Sequence, residues 1–72
     1  MNMNEAITYA QTCDYYLHEA RNPKCWQVRG PEYFDDIDQI YTDDLEFEGT
    51  LEQCKEYMAK IGYELFEMHM DI

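Results

Sequence analysis

The sequence predicts a small single-domain α+β fold, in which a mostly antiparallel sheet of about three strands packs against one or two helices. The prediction rests on a helical pattern at the start of the chain, a capped helix after residue 49, and short strand-like runs between them. A chain of 72 residues is long enough for one domain only, which leaves no room for a separate catalytic domain. A domain of this size buries only about 60% of the surface of its unfolded chain. Hydrophobic residues make up 46% of the chain, so we expect it to fold despite a net charge of -11.

The first segment has the periodicity of a helix. Small and apolar residues recur there at spacings of three and four, at Ala6, Ala10, Cys13, Leu17 and Ala20. Asn2 with Glu5, or Asn4 alone, is expected to cap its start. We predict a helix through about Ala20, ended by Asn22-Pro23 because the residue before a proline avoids the helical region.

A hairpin is the alternative for the second half of this segment. Residues 14–20 (DYYLHEA) and 24–30 (KCWQVRG) are rich in aromatic and β-branched residues and flank the turn-like Arg21-Asn22-Pro23. In that version the helix ends near Cys13. In both versions residues 25–29 form a strand closed by Gly30-Pro31.

The sequence pattern in the second half of the chain predicts a strand, a helix and a last strand. Residues 45–48 alternate apolar and acidic side chains and are ended by Gly49, as in a half-buried strand. Thr50 and Gln53 match a capping box at the start of the next helix. Gly62 is expected to end that helix as its left-handed C′ residue, and residues 63–70 (YELFEMHM) to form the last strand. The predicted core is Trp26, Val28, Leu45, Phe47, Leu51, Met58, Ile61, Leu65 and Phe66, and the other face of the sheet stays partly wet.

Negative charge is concentrated in the middle of the chain. Residues 31–52 carry nine carboxylates and no lysine or arginine. Like charges in one segment repel each other, so their segregation is more readily tolerated when a basic partner compensates. A merely solvated face is the competing interpretation. Aromatic residues interleaved with these acids are typical of interfaces. The candidate partner-binding residues are Glu32, Asp35, Asp36, Asp38, Tyr41, Asp43, Asp44, Glu46, Glu48 and Glu52.

Metal and catalytic signatures are weak. An EF-hand loop that starts at Asp36 has Tyr41 in place of glycine, and one that starts at Asp35 has Ile37 at a ligand position. Only weak, opportunistic binding of divalent cations by the aspartates stays open. With no serine and no phosphate-binding loop, we predict no catalytic residue and no cofactor. The odd number of widely spaced cysteines favours reduced thiols over a disulfide framework or a zinc site: Cys13, Cys25 and Cys54.

The charge also limits the possible partners. Phosphate contacts need a basic patch, and the few bases of the chain do not offset -11, so we expect no direct binding to nucleic acid. The inverse fits better, namely imitation of nucleic acid by Glu46, Glu48 and Glu52 projecting outward together. The start of the chain lacks a basic signal-peptide region, and no run of about 18 apolar residues occurs, so we expect a cytoplasmic protein that spans no membrane.

In its size, its single α+β domain and the run DDIDQIYTDDLEFEGTLE (residues 35–52), the sequence resembles a class of small acidic inhibitors. Bacteriophages and mobile elements encode these inhibitors, which include anti-CRISPR and anti-restriction proteins that act as DNA mimics. The resemblance implies a stoichiometric inhibitor in a bacterial cytoplasm, bound to a basic surface of a CRISPR or restriction effector. The class shares no sequence signature, so no functional residue is carried over from it.

The alternative function is an adaptor or regulatory module that binds through a sheet edge or through the wet face around Tyr63 and Leu65. We expect a monomer or a weak homodimer, the latter supported by an edge strand or by Met68 and Met70.

Overall fold

The computed structural model describes residues 1–21 and 24–70 and confirms the predicted α+β fold. Strands β1, β2 and β5 form an antiparallel sheet with β2 at its centre, and β3 and β4 form a separate antiparallel hairpin. The elements follow one another as α1 (Met3–Thr12), β1 (Tyr16–Arg21), β2 (Lys24–Arg29), β3 (Tyr33–Asp35), β4 (Ile40–Thr42), β5 (Leu45–Gly49) and α2 (Leu51–Met70).

Helix α1 begins as predicted but ends early. The Asn2 side chain accepts a hydrogen bond from the Glu5 amide at 2.8 Å, and Glu5 accepts one from the Asn2 amide, which completes the capping box. The predicted continuation to Ala20 is wrong, because the helix ends at Thr12 and Asp14 takes a left-handed conformation with φ 72°. The hairpin alternative is correct.

Strand β1 exists because it has a partner along its whole length. It pairs with β2 from Tyr16 opposite Arg29 to Arg21 opposite Lys24, which places Leu17 beside the buried Val28. This pairing supplies the backbone hydrogen bonds that a longer helix would otherwise have made. The predicted turn at Asn22-Pro23 lies outside the described residues.

Helix α2 is longer than predicted. Its capping box is confirmed, since Thr50 Oγ1 accepts from the Gln53 amide at 3.1 Å and Gln53 Oε1 accepts from the Thr50 amide at 3.0 Å. The predicted helix end at Gly62 and the predicted strand at residues 63–70 are wrong, because the helix continues to Met70. A Cβ on Gly62 would lie 1.9 Å from the carbonyl oxygen of Ala6, so this glycine permits the close approach of α1 to α2.

The core lies between the three-stranded sheet and the two helices. Its centre is fully buried and consists of Ala10, Val28, Cys54 and Met58, with Trp26, Phe47 and Ile61 packed around it. Two predicted core residues are exposed instead. Leu45 is 48% exposed beside a register shift in the pairing of β2 with β5, and Phe66 is 37% exposed on α2 with its ring packed edge-on against Tyr9.

The opposite face of the sheet is partly wet, as predicted. Tyr16 and His18 are exposed there, and Gln27 and Arg29 are half-buried. In the described parts of the chain, neither helix is both long and apolar enough to cross a membrane.

Candidate partner-binding surface

The acidic segment follows one continuous path along the molecule. It forms the β3–β4 hairpin, then β5, and then the first turn of α2. Because the sheet order is β1-β2-β5, strand β5 lies at an edge of the sheet. We call the carboxylates on this path the acidic edge: Glu32, Asp35, Asp36, Asp38, Asp43, Asp44, Glu46, Glu48 and Glu52. All of them are exposed except Asp35 and Asp43, which are half-buried.

The β3–β4 hairpin is organised by its own turn at residues 36–39. Asp35 Oδ1 accepts hydrogen bonds from the amides of Ile37 and Asp38 at 2.9 and 3.3 Å. Gln39 adopts a left-handed conformation with φ 59°, and its amide donates to the Asp35 carbonyl at 2.8 Å. Asp35 therefore has a structural role in the turn, whereas Asp36 and Asp38 face solvent.

The hairpin exposes apolar side chains. Phe34 lies opposite Tyr41, with ring centroids 5.2 Å apart and an edge-to-face geometry. In the described chain, the two strands pack mainly against each other and have no extensive interface with either helix. The radius of gyration of 13.3 Å exceeds the value of about 11 Å typical of a compact domain this long. The exposed apolar residues are Tyr33 (46%), Phe34 (46%), Ile37 (92%), Ile40 (54%) and Tyr41 (71%).

Asp43, at the base of the hairpin, is engaged within the molecule. Arg29 Nε donates to its Oδ1 at 2.6 Å, and the Tyr16 hydroxyl donates to its other oxygen. The hydrogen bond from Tyr16 and the pairing with Arg29 lower the pKa of Asp43 below its ordinary value of 3.8. This is the one ion pair among the described residues. Of the predicted site residues, Asp43 is therefore the least available to a partner.

A chain of polar contacts links Asp43 to β5 across the wet face of the sheet. Arg29 also donates to Gln27 Oε1 at 3.2 Å, and Gln27 Nε2 donates to Glu48 at 3.1 Å. Partial burial raises the pKa of the Cys25 thiol, and the neighbouring Glu48 carboxylate raises it further. Burial likewise raises the pKa of Cys54, so neither thiol is activated as a nucleophile. All three cysteines are free, as the sequence predicts.

Apart from Asp35 and Asp43, the acidic edge is open to a partner. Asp44 accepts a hydrogen bond from the Tyr33 hydroxyl at 3.0 Å, which joins it to the hairpin and raises the pKa of Tyr33. Glu48 accepts a hydrogen bond from the side-chain amide of Gln27 and lies beside the Cys25 thiol. The remaining carboxylates are exposed and receive no hydrogen bond from another described residue: Glu32, Asp36, Asp38, Glu46 and Glu52.

The structure adds one carboxylate that the sequence did not suggest. Asp14 lines a shallow cleft of about 410 Å³ together with Tyr16, Glu32 and Asp43. Asp14 lies outside the acidic run of residues 31–52, and its only local signal is its place after a helical stretch, where a left-handed residue is common. Within the described residues, no three metal-ligating side chains converge on a common point.

Comparison of the chain with protein-family models, with curated proteins and with solved structures finds no match. The functional argument therefore depends on the geometry and charge of this surface.

Proposed function

We propose that this protein is a non-enzymatic inhibitor of the bacteriophage type, similar in kind to anti-CRISPR proteins. In this proposal the acidic edge occupies a basic nucleic-acid-binding site on a bacterial defence enzyme. The observation that supports it most strongly is the lack of internal neutralisation. Among the described residues a single carboxylate of the acidic edge, Asp43, has a cation as its partner.

The spacing of the carboxylates suits a polyanion-binding groove. Glu46 and Glu48 lie two residues apart on β5, which keeps their backbone positions within about 7 Å of each other, and Glu46 lies where the register with β2 shifts. Duplex DNA carries one phosphate per about 3.4 Å of each strand, and the proteins that bind it line their grooves with lysine and arginine. A strand at the edge of a sheet fixes the backbone that carries these glutamates, so only their side chains have to be ordered on binding.

A solubilising surface explains the charge but not the rest of the segment. The hairpin places exposed aromatic side chains among the acids, although aromatic residues are costly to expose in water. Interfaces are enriched in tyrosine and phenylalanine at their centres, with polar residues at the rim. The combination favours a partner with both basic and apolar groups.

The adaptor alternative keeps one structural basis. The predicted sheet face around Tyr63 and Leu65 is wrong, because both residues lie in α2 and not in a strand. Strand β1, however, is an edge of the described sheet and can accept a partner strand. Proline at His18 would then abolish binding, whereas the inhibitor proposal predicts that binding depends on the acidic edge.

The proposal can be tested in bacterial strains that each carry one CRISPR or restriction system. Expression of the protein should restore phage plating in at least one strain. The triple substitution Glu46→Gln, Glu48→Gln and Glu52→Gln should abolish the restoration while the purified variant keeps its fold. The binding of wild-type protein to that system's effector should weaken steeply between about 50 and about 200 mM salt.

A matched control removes the same charge from another surface. Glu19 lies on β1, the sheet edge opposite β5, and Glu64 and Glu67 lie in the second half of α2; all three are exposed and outside the acidic edge. Their replacement by glutamine should leave plating restored, because the position of the charge matters and not only its sum. The proposal is contradicted if phage plating is restored in no strain, or if both triple variants lose the ability to restore it to the same extent.

A further inference from the structure

The β3–β4 hairpin has features that a purely charged nucleic-acid mimic does not require. Tyr41 is 71% exposed and Ile37, at the turn, is 92% exposed. In the described chain neither strand has an extensive interface with the helices, so the body does not need these side chains for its core. Soluble monomers seldom expose neighbouring large apolar groups unless they form a binding surface.

The apolar groups and the acids are arranged together on the hairpin. Phe34 and Tyr41 are cross-strand neighbours and therefore share one face of the ribbon. Asp36 and Asp38 lie in the adjoining turn, and Asp44 is tied to the base of the hairpin by Tyr33. A complementary partner must therefore present cations around a surface that accepts aromatic rings.

Two kinds of nucleic-acid site differ in this respect. Surfaces that bind duplex DNA contact phosphates and base edges, because the faces of the bases are stacked inside the helix. Sites for single strands combine a cationic track with aromatic side chains on which unstacked bases lie. Only the second kind offers a place for exposed rings beside negative charges.

We propose that the hairpin enters a cleft that binds single-stranded nucleic acid. Phe34 and Tyr41 take the places of unstacked bases there, and the carboxylates of the turn take the places of phosphates. This inference rests on the proposed function and narrows its target to a single-strand channel of the defence enzyme.

The test uses competition with DNA of both kinds. The experiment uses lysate of a bacterial strain whose defence system the protein inhibits. The lysate is loaded on one column of single-stranded DNA cellulose and on one of double-stranded DNA cellulose. Both columns are then eluted with the purified protein. We expect it to displace the effector from the single-stranded column. The affinity of the displaced effector for each variant is then measured.

The variants separate the rings from the charges. Phe34→Thr with Tyr41→Thr keeps β propensity but removes both rings, and should weaken binding by roughly tenfold to a hundredfold with the salt dependence retained. Tyr63→Ala removes a 40% exposed ring from α2 and should leave binding unchanged. If the double variant loses its structure, Tyr41→Thr alone serves instead, since the ring of Tyr41 is 71% exposed, and should weaken binding about fivefold to tenfold.

The outcomes distinguish this inference from the proposed function. Displacement from the double-stranded column alone, or unchanged affinity of the folded ring variants, overturns the inference and leaves the acidic-edge inhibitor intact. Displacement from neither column overturns both.

Discussion

The helix-and-sheet body and the β3–β4 hairpin use similar residues in opposite ways. In the body, Val28 and Met58 are fully buried, whereas in the hairpin Ile37 is 92% exposed. The body buries apolar groups because α2 covers one face of the three-stranded sheet and α1 packs against α2. A two-stranded ribbon has no such cover, and alone it is marginally stable. The comparison shows that apolar composition does not by itself decide burial here, and that the buried core and the exposed apolar side chains of the hairpin lie in different regions.

The crossing of α1 and α2 is where the body should be most sensitive. Alanine at Gly62 should destabilise the fold by about 3 kcal/mol, because its Cβ would overlap the Ala6 carbonyl, and backbone cannot move aside as a side chain can. This cost exceeds the gain of about 1 kcal/mol that alanine brings to a helix interior. Urea unfolding measures the difference.

Gly30→Ala is the control for that substitution. A Cβ on Gly30 meets only the carboxylate end of the Glu46 side chain, at 2.7 Å, which can rotate away. We therefore expect a loss below about 1 kcal/mol. Equal losses at the two glycines would show that the helices separate at little cost.

The core can be compared with the surface at two methionines of the same helix. Met58→Ala should cost about 3 kcal/mol, since Met58 is fully buried and a cavity remains. Met68→Ala should cost less than about 0.5 kcal/mol, because Met68 is 68% exposed and alanine favours helix. Thermal unfolding of both variants checks the contrast, which a similar melting temperature would contradict.

The junction between body and hairpin should respond to pH. The pKa of Asp43 is lowered in the folded state, so its contribution to stability is present above the ordinary value of 3.8 and lost as the pH falls through the lower folded value. In acid titrations, wild type should therefore lose more stability than Asp43→Asn, with Tyr16→Phe intermediate. Parallel titration curves would mean that the pairing of Asp43 with Arg29 adds no stability.

The smallest expected effect concerns local opening of the hairpin. Amide hydrogen exchange at Tyr41 should be fast and unaffected by Met58→Ala, because the hairpin opens independently of the core. Exchange at Val28 should be slow in wild type and accelerate in that variant. If Tyr41 and Val28 accelerate together, the hairpin is part of the cooperative body.

The local signals of the sequence were read correctly where short-range chemistry decides the structure. The capping box of Thr50 and Gln53 forms as predicted, and of the two caps left open for α1 the one of Asn2 with Glu5 forms; each joins residues three positions apart. Strand β5 follows from the alternation of residues 45–48 and β2 from its aromatic and β-branched residues, and a glycine ends each of the two runs. The extent of α1 was wrong, because the choice between helix and strand for residues 16–20 depends on pairing with β2.

Long-range contacts account for the other errors. Gly62 has the position of a helix cap, and only the approach of Ala6 shows that it lies within a helix–helix contact. The β3–β4 hairpin was missed because its aspartates dominate the pattern, although Phe34 and Tyr41 carried the strand signal. Within the acidic edge, the engagement of Asp43 by Arg29 depends on how β2 meets the hairpin base, which residue spacing does not reveal.

The amide of Gly30 donates to the carbonyl of Asp44 at 2.9 Å. This hydrogen bond joins the end of β2 to the start of β5 at the point where the hairpin leaves the sheet. Residues 31–43 are in this sense an insertion between two strands that would be neighbours without it. Such a segment can change in length and sequence over evolution while the register of β2 with β5 stays the same. Homologous proteins should therefore share the body and differ most in residues 31–43.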